Sequence, residues 1–336
     1  MALSRDGTLV FKVLWTGATG FFGRSLLRHI KAQGAGPSEW QLISRDPAAF
    51  SLKWPDLAAL PQTVWHQGDI MTLNETPRTA LTHVGHAAAD STSAGHLSDL
   101  QRFDQILEGT RRILDVAVAR GAKRMLFISS GGVYGRQSSA LLAIPEEYLG
   151  MPDPLNSANV YSVAKRAAEH LCALYAENYG LEIVIARCFA FVGEDLPLDV
   201  HFAIGNFIRD ALWSDEIVVS GDGTPMRSYL DQRDLARWLS ALLFEGRPGE
   251  AYNVGSDQPI SIVDLGHLVR DLVSPGKRVR VLGNPIDNAE RNRYVPDIRK
   301  IGRDLGLRPG FSLEQSIQDA AEAARARGRN LLIGRS

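Results

Sequence analysis

No run of apolar residues in this chain of 336 approaches the length of a membrane-crossing helix, so a membrane protein is not expected. Cysteine is almost missing. Cys172 falls in a helical stretch and Cys188 ends an apolar strand, which reads as two buried thiols in a reducing compartment and excludes a disulfide framework. No excess of one charge is present either. Lys+Arg 37 against Asp+Glu 38 leaves a net charge of −1, so nothing in the charge points to nucleic acid or an anionic membrane surface. The eight histidines show no metal-ligand spacing and none pairs with a cysteine motif, so no metal is expected. Met1 to Asp6 carries no signal-peptide core, which makes a cytoplasmic protein the expectation. Repeats and low-complexity linkers are lacking. What remains is 45% hydrophobic and 22% charged, an ordinary soluble globular composition, long enough for one large domain or a large and a small one.

Apolar strand-like runs alternate with helical runs through the first half. Phe11–Trp15 reads as a strand and Gly23–Gln33 as the helix after it. Strands are expected at Trp40–Ser44, Thr63–His66, His83–Ala88, Arg124–Ser129 and Glu182–Arg187, with long helices at Leu100–Arg120 and Tyr161–Tyr179. Such alternation means parallel strands joined by right-handed crossovers, hence an α/β fold with a Rossmann-type doubly wound parallel sheet. The pattern changes after Val192. Helices near Ala203–Trp213, Asp234–Phe244, Ser261–Leu272 and Ser312–Arg327 are interspersed with short strands at Ile217–Ser220, Ala251–Val254 and Arg278–Leu282. We therefore expect a dinucleotide-binding domain over 8–192. A smaller, discontinuous substrate lobe mainly over 193–330 should follow, with one strand or helix able to return to the first domain. Arg325–Ser336 is expected to be a frayed tail.

The first strand runs directly into Thr16-Gly17-Ala18-Thr19-Gly20-Phe21-Phe22-Gly23. A glycine turn between a strand and a helix makes a dinucleotide site. Gly17 permits the tight turn, Gly20 lets backbone approach a pyrophosphate, and Gly23 permits close packing. The helix N-terminus then offers free N–H groups to phosphate. Gly68-Asp69-Ile70 follows the third strand. Asp69 could accept from an adenine amino group or serve as a turn residue. At the end of the second strand stands Ser44-Arg45. An acidic residue there would bond the ribose 2′-hydroxyl of NAD, whereas the planar fork of arginine suits the 2′-phosphate of NADP. NADP is the expectation, with NAD left open by Asp46.

Tyr161-Ser162-Val163-Ala164-Lys165 opens a helix, which places Tyr161 and Lys165 one turn apart on one face. Upstream, Ser129-Ser130-Gly131-Gly132-Val133-Tyr134-Gly135 supplies a hydroxyl from another segment. A phenol is too weak an acid for proton transfer at neutral pH, and a neighbouring ammonium favours the phenolate. Lys165 is therefore expected to lower the pKa of Tyr161 and to bond the nicotinamide ribose. Tyr161 gives or takes the proton on the substrate oxygen, and Ser130 fixes that oxygen by a second hydrogen bond. Together with the dinucleotide site, this describes hydride exchange between a nicotinamide and a carbonyl or carbinol carbon. Tyr134 reads as strand-end packing.

With these residues in view, the chain resembles the extended short-chain dehydrogenase/reductase family, in its branch of nucleotide-sugar epimerases, dehydratases and ketoreductases. The resemblance runs from Val13 to about Leu307. It includes Thr16–Gly23, Gly68-Asp69-Ile70, His86-Ala87-Ala88-Ala89, Gly109-Thr110, Ser129–Gly135 and Tyr161–Lys165. It continues through Gly221-Asp222-Gly223-Thr224 with Arg227 and Asp234, then Tyr252-Asn253-Val254-Gly255, and Asp297 with Lys300 before Leu305-Gly306-Leu307. It implies cofactor contacts from Thr19, Phe21, Phe22, Ile70, Ala87, Ala88 and Ala89 beside the residues above. It implies that Arg227 holds the diphosphate of a nucleotide-linked sugar, as a bidentate cation suits a dianion; a salt bridge to Asp231 or Asp234 is the other reading. Arg291 or Arg293 is the implied second clamp, and Ser91 and Asn206 are implied substrate contacts. Asn206 and His201 lie where the family shapes its sugar pocket, and either could instead be structural. A homodimer through Leu100–Arg120 and Tyr161–Tyr179 is implied as well.

Three departures qualify the resemblance. Family dehydratases carry an acid pair directly after the site hydroxyl, where this chain has Gly131 and Gly132, so 4,6-dehydration is not expected. An asparagine usual before the Gly-Thr of the long helix is Ile106, and one usual after Arg-x-Phe is Ala190. The expectation is an NAD(P)-dependent nucleotide-sugar oxidoreductase acting at hexose C4: an NADPH-dependent 4-ketoreductase of a nucleoside-diphospho-4-keto-6-deoxy sugar. The alternatives are a 4-epimerase with bound NAD, a generic carbonyl reductase, and a non-catalytic NADP-sensing protein.

Overall fold

In a computed structural model, the structure describes residues 2–3, 9–34, 38–73, 78–89, 97–200, 202–284 and 292–333. The strands in chain order are β1 (Ala2–Leu3), β2 (Leu9–Thr16), β3 (Ser38–Ser44), β4 (Thr63–Gln67), β5 (His83–His86), β6 (Arg124–Ser130), β7 (Glu182–Cys188), β8 (Phe191–Val192), β9 (Glu216–Val219), β10 (Met226–Arg227), β11 (Leu230–Asp231), β12 (Ala251–Val254), β13 (Ile260–Ser261), β14 (Arg278–Val281) and β15 (Arg293–Tyr294). The α-helices are α1 (Phe21–Gln33), α2 (Pro47–Lys53), α3 (Pro55–Ala58), α4 (Asp99–Ala119), α5 (Val160–Tyr179), α6 (Ala203–Trp213), α7 (Gln232–Glu245), α8 (Ile262–Val273), α9 (Arg299–Leu305) and α10 (Leu313–Ile333).

Seven parallel strands form the main sheet in the order β12-β7-β6-β5-β2-β3-β4, with β1 added antiparallel to β2. Chain progress reverses at β2, which pairs β3 on one side and β5 on the other. A crevice opens beyond the carboxyl ends of the strands at such a switch point, and the glycine turn stands there. Alternation along each strand divides its side chains between two cores. Val13, Trp15, Leu42, Leu126, Ile128, Val184 and Ala186 join a core with α1 and α7. Leu14, Ile43, Met125, Phe127 and Ile183 join a second with α4 and α5. Helix α4 starts in a reciprocal capping box between Ser98 and Gln101. Helix α5 ends on Gly180, which is left-handed at φ +65°.

Outside the sheet, α6, α8, α10 and β9 close a third core around Ile204, Phe207, Leu265 and Ile317. A fourth, small cluster joins Val133, Tyr134, Ile144 and Phe189, with Tyr148 and Tyr294 packed against it. Short strand pairs link these parts: β11 with β8, β14 with β9, and β10 between β13 and β15. Among the described residues no helix is long and apolar enough to cross a membrane. Cys172 and Cys188 are both free and buried.

The α/β doubly wound sheet is as expected, and most element boundaries fall within two residues of the sequence reading. Ala251–Val254, a late strand for which the sequence leaves a return to the first domain open, is the outer strand of the main sheet, paired in parallel with β7. One feature differs. The tail expected from Arg325 is helix as far as Ile333. Ile317, Ala320, Ala321 and Ala324 bury one face of α10, and the Arg325 guanidinium donates to the Val273 carbonyl at 2.8 Å. That tertiary anchor outweighs the polar composition of the segment.

Candidate active site

The turn from β2 into α1 is built for close approach. Gly17 adopts φ +74°, and a Cβ there would lie 2.8 Å from the Ala87 carbonyl carbon. A Cβ on Gly23 would meet the Ala18 carbonyl oxygen at 2.2 Å, so the third glycine seats the helix on its own turn. Gly20 is the N-cap residue and no side chain caps α1; its first turn carries no acidic residue. The amides of Phe21 and Phe22 therefore open on an uncapped, electropositive helix end. Their rings pack on Phe191, at 6.2 and 5.6 Å between centroids. The Arg24 guanidinium donates to the Thr19 carbonyl and pairs with Asp195, which stiffens the turn from outside.

His86 ties this turn to the rest of the crevice. Its ring bridges the Thr16 hydroxyl, at 2.7 Å, and the Thr110 hydroxyl, at 3.2 Å. Thr110 donates onward to the Ile106 carbonyl, and Thr16 accepts from the Ala88 amide. The chain is satisfied by a neutral imidazole that accepts at Nδ1 and donates at Nε2. Burial, and then the charge of Lys165, bring the His86 pKa down to about 3. Ala87, Ala88 and Ala89 line the adjoining loop after β5, and Ile70 is buried beneath Gly109. Asp69 accepts from the Met71 amide at 2.9 Å, a turn contact.

At the end of β3, Ser44 is buried and its hydroxyl accepts from the Asp46 amide. Asp46 accepts from the Ala49 amide at 2.9 Å and so caps α2. Arg45 is exposed at the tip.

Ser130 ends β6 and Tyr161 and Lys165 rise from α5; Tyr161 comes beside Ser130, while Lys165 turns to the backbone of β6. The Ser130 hydroxyl accepts from the Gly132 amide at 3.1 Å, and Ser130 stands close enough to the Tyr161 phenol to favour its ionised form. Lys165 Nζ donates to the Ile128 carbonyl at 2.7 Å and lies over the Phe127 ring. The expected lowering of the Tyr161 pKa by Lys165 does not hold in this structure. Burial is the dominant influence and, with Cys188, pushes the phenol up; Ser130 is the group that opposes it. Burial also lowers Lys165 to about 8. Tyr161 is partly open at the surface, yet its surroundings are dense enough to make desolvation the largest influence on the phenol.

A buried ionic network lies beneath. Arg187 of β7 holds Glu169 of α5 through two bonds, at 3.1 and 2.8 Å. Glu169 also accepts from the Ser129 hydroxyl. Arg187 reaches the Tyr134 hydroxyl, which donates to Asn253 at 2.9 Å. Tyr134 is thus structural, as its sequence context indicates, and burial lifts its pKa to about 12.

Arg227 sits half-buried on β10, and burial lowers its pKa. The alternative ion pairs are absent: Asp231 pairs with Arg233, and Asp234 with Arg237. Among the described residues no carboxylate is paired with Arg227, whose Nη1 donates to the carbonyls of Met226 and Asn292. Arg293 Nε donates to the Leu142 carbonyl instead of turning to a clamp. Asn206 accepts from Arg209 and lines a groove with Asp210, Glu216 and Ser220 that includes none of Ser130, Tyr161, Lys165 or Arg227. Ser91, His201 and Arg291 lie outside the described residues.

Sequence reasoning missed Tyr294. It pairs in register with Arg227 across β10 and β15, and its ring stacks on Phe189 at 4.5 Å. Its hydroxyl lies 2.6 Å from where a Cβ on Gly131 would stand. A Cβ on Gly132 would meet the Ser162 hydroxyl at 2.5 Å. The two glycines after Ser130 are therefore required by side chains that already fill their space. Only Tyr294 being the sole phenol near the Asp297 and Lys300 stretch could have hinted at this.

Comparison with known proteins places the chain in a class of enzymes. Residues 13–255 match the NAD dependent epimerase/dehydratase family, and the chain belongs to that family, whose members are enzymes of the extended short-chain dehydrogenase/reductase type. It is 32% identical over 209 residues to UDP-glucuronic acid decarboxylase 1 of Xenopus tropicalis, covering 62% of this chain and 48% of that one. To UDP-glucuronic acid decarboxylase 3 of Arabidopsis thaliana it is 31% identical over 219 residues, covering 65% and 62%. The chain thus spans about half to three-fifths of the length of these relatives. Among solved structures, RMD from Pseudomonas aeruginosa complexed with NADPH superposes with a TM-score of 0.78 at 26% identity, covering 95% and 100%. UDP-glucuronic acid 4-epimerase from Bacillus cereus in complex with NAD gives 0.80 at 24%, covering 94% and 99%, a likeness of fold.

Proposed function

We propose that the protein is an NAD(P)-dependent oxidoreductase of nucleotide-linked hexoses, acting at C4 as an NADPH-dependent reductase of a 4-keto-6-deoxy sugar. The observation that carries the reading is the pairing of a proton-transfer trio with an uncompensated cation. Tyr161 stands beside Ser130, Lys165 lies one turn along the same helix against the backbone of β6, and Arg227 on β10 has no carboxylate partner among the described residues. The residues fit a dinucleotide: the Gly17 cradle leaves no room for a Cβ, and the N-terminus of α1 is uncapped and free of acidic residues. Gly17, Gly20 and the amides of Phe21 and Phe22 would hold its pyrophosphate, with Ile70 and Ala87–Ala89 lining the cleft. When bound, a nicotinamide cofactor supplies hydride exchange with the substrate carbon. Tyr161 gives or takes the proton at the substrate oxygen, and Ser130 donates to the same oxygen.

NADP is favoured by Arg45. Asp46 spends one carboxylate oxygen on its helix cap, while the Arg45 guanidinium is exposed at the strand tip where a ribose 2′-phosphate would lie. The reductase reading is also supported by Gly131 and Gly132, whose packing excludes an acid pair after Ser130. Residues 8–192 would supply the dinucleotide half and 193–330 mainly the substrate lobe. Exposed Leu100, Leu174 and Tyr179 on α4 and α5 support a homodimer through that helix pair. The relatives' names keep C4 epimerisation with retained NAD as the second reading.

The test is mass spectrometry of the natively purified protein, followed by incubation with a nucleoside-diphospho-4-keto-6-deoxyhexose and NADPH. An empty site and stoichiometric NADPH consumption are expected. Retained NAD with no net cofactor consumption would replace the reductase by the epimerase.

A further inference from the structure

Arg24 and Arg28 stand one turn apart on α1, and both reach Asp195 in the loop after β8. The Asp195 side chain is fully buried. Arg24 meets this residue along two edges. Its Nε donates to Oδ1 at 3.2 Å, and its Nη2 donates to the Asp195 carbonyl at 2.8 Å. A guanidinium is a rigid plane, so two anchored edges decide where the third one points. That third edge, Nη1, donates to the Thr19 carbonyl at 2.6 Å, inside the glycine turn. Asp195 is held in its own place from behind. Its amide donates to Gln232 Oε1 at 3.0 Å, Gln232 Nε2 donates back to Oδ2 at 3.3 Å, and Arg28 Nε donates to Oδ2 at 2.7 Å.

A trans peptide points its carbonyl and its amide to opposite sides. In the Thr19–Gly20 peptide, Arg24 holds the carbonyl. The Gly20 amide donates to the Gly17 carbonyl at 3.1 Å and closes the turn. The peptide is therefore pinned on both sides. The next amides along the chain are those of Phe21 and Phe22, at the uncapped end of α1. Rotation of the pinned peptide would re-aim them. Arg28 offers a contrast within the same cluster. It pairs with Glu194 and Asp195 and lies over the Trp54 ring, and among the described residues it has no hydrogen bond to the turn.

We propose that Arg24 and Asp195 are a positioning pair, through which the loop after β8 holds the glycine turn in the shape that receives a dinucleotide pyrophosphate. The inference rests on the reading of that turn as the cofactor site. The pair acts through the Thr19–Gly20 peptide and not on the ribose, so it serves NAD and NADP alike and is independent of Arg45.

The test compares Asp195→Asn, Arg24→Lys and the double variant with Arg28→Lys as the matched control. Asparagine keeps the shape of Asp195 and removes its charge. Lysine keeps the charge at 24 and has no fork to span Asp195 and Thr19. In the ligand-free protein, hydrogen exchange of the Gly20 amide should be faster in Asp195→Asn and in Arg24→Lys, and as in the wild type in Arg28→Lys. In titrations, NADPH and NADH should each bind about tenfold more weakly to both single variants, the loss expected for one charge-assisted hydrogen bond. The ratio of the two affinities should not change. The double variant should be no weaker than either single one, because each substitution breaks the same link. An unmoved Gly20 exchange rate, an equal loss of affinity in Arg28→Lys, or additive losses in the double variant would overturn the positioning role. A wild type that binds a dinucleotide but turns over no nucleotide sugar overturns the proposed function, while these titrations still decide the role of the pair. A wild type that binds neither dinucleotide overturns both.

Discussion

Lys165 Nζ donates to the Ile128 carbonyl at 2.7 Å, so the helix that carries Tyr161 is tied to the strand that carries Ser130. The bond explains how a side chain buried to 3% exposure keeps a charge. It also has a cost that pH reveals. Burial lowers the Lys165 pKa to about 8 in the folded protein, from 10.5. Between those two values the unfolded chain binds the proton and the folded one does not, so this site adds stability as pH rises. Relative to Lys165→Met, the wild type should gain up to about 3 kcal/mol between pH 8 and 10.5. Urea unfolding of both proteins across that range checks the slope. A constant difference would mean that the lysine titrates normally.

Tyr161→Phe should lower turnover about a hundredfold or more, because the ring still packs but the proton donor is gone. Cofactor binding should be nearly unchanged. Steady-state rates beside a cofactor titration measure both, and wild-type turnover in the variant would remove Tyr161 from the reaction.

Arg45→Asp should move cofactor preference from NADP to NAD. The substitution takes away the phosphate partner and supplies a 2′-hydroxyl acceptor, while Asp46 stays engaged at the cap of α2. Fluorescence titration of both proteins with each cofactor decides it. Tighter binding of NAD by the wild type would contradict the role given to Arg45.

Arg227→Ala should weaken binding of a nucleoside diphosphate by about 1.5–3 kcal/mol, the value of a charge-assisted hydrogen bond, and leave cofactor binding intact. Calorimetry with a free nucleoside diphosphate is the measurement. Equal affinities would reduce Arg227 to its contacts with Met226 and Asn292.

Glu169→Ala should destabilise the fold by about 3–5 kcal/mol, since it leaves the Arg187 charge buried without its partner. Glu169 joins Arg187 and the Ser129 hydroxyl one residue from Ser130, so turnover should fall as well. Denaturant midpoints at neutral pH check the stability, and a loss below about 1 kcal/mol would show that the pair is surface-like.

The sequence by itself determined what depends on near neighbours. Alternating apolar strands and amphipathic helices specify the doubly wound sheet, because each period buries one face whatever follows. The glycine turn is legible since φ +74° at Gly17 is a local demand. Tyr161 and Lys165 share a helix face by spacing alone, and Arg227 stands out because a cation follows a loop with no apolar pattern. Tertiary structure alone decided the rest. The two-residue strands β10 and β15 have no period to read, so nothing short of the fold could register Arg227 against Tyr294. Arg325 looked like part of a tail until the Val273 carbonyl, far back in the chain, was set beside it. The protonation of Tyr161 followed the same rule. Lys165 stands one helical turn away by spacing, but the largest influence on the phenol is burial by segments distant in the chain, which pushes its pKa up.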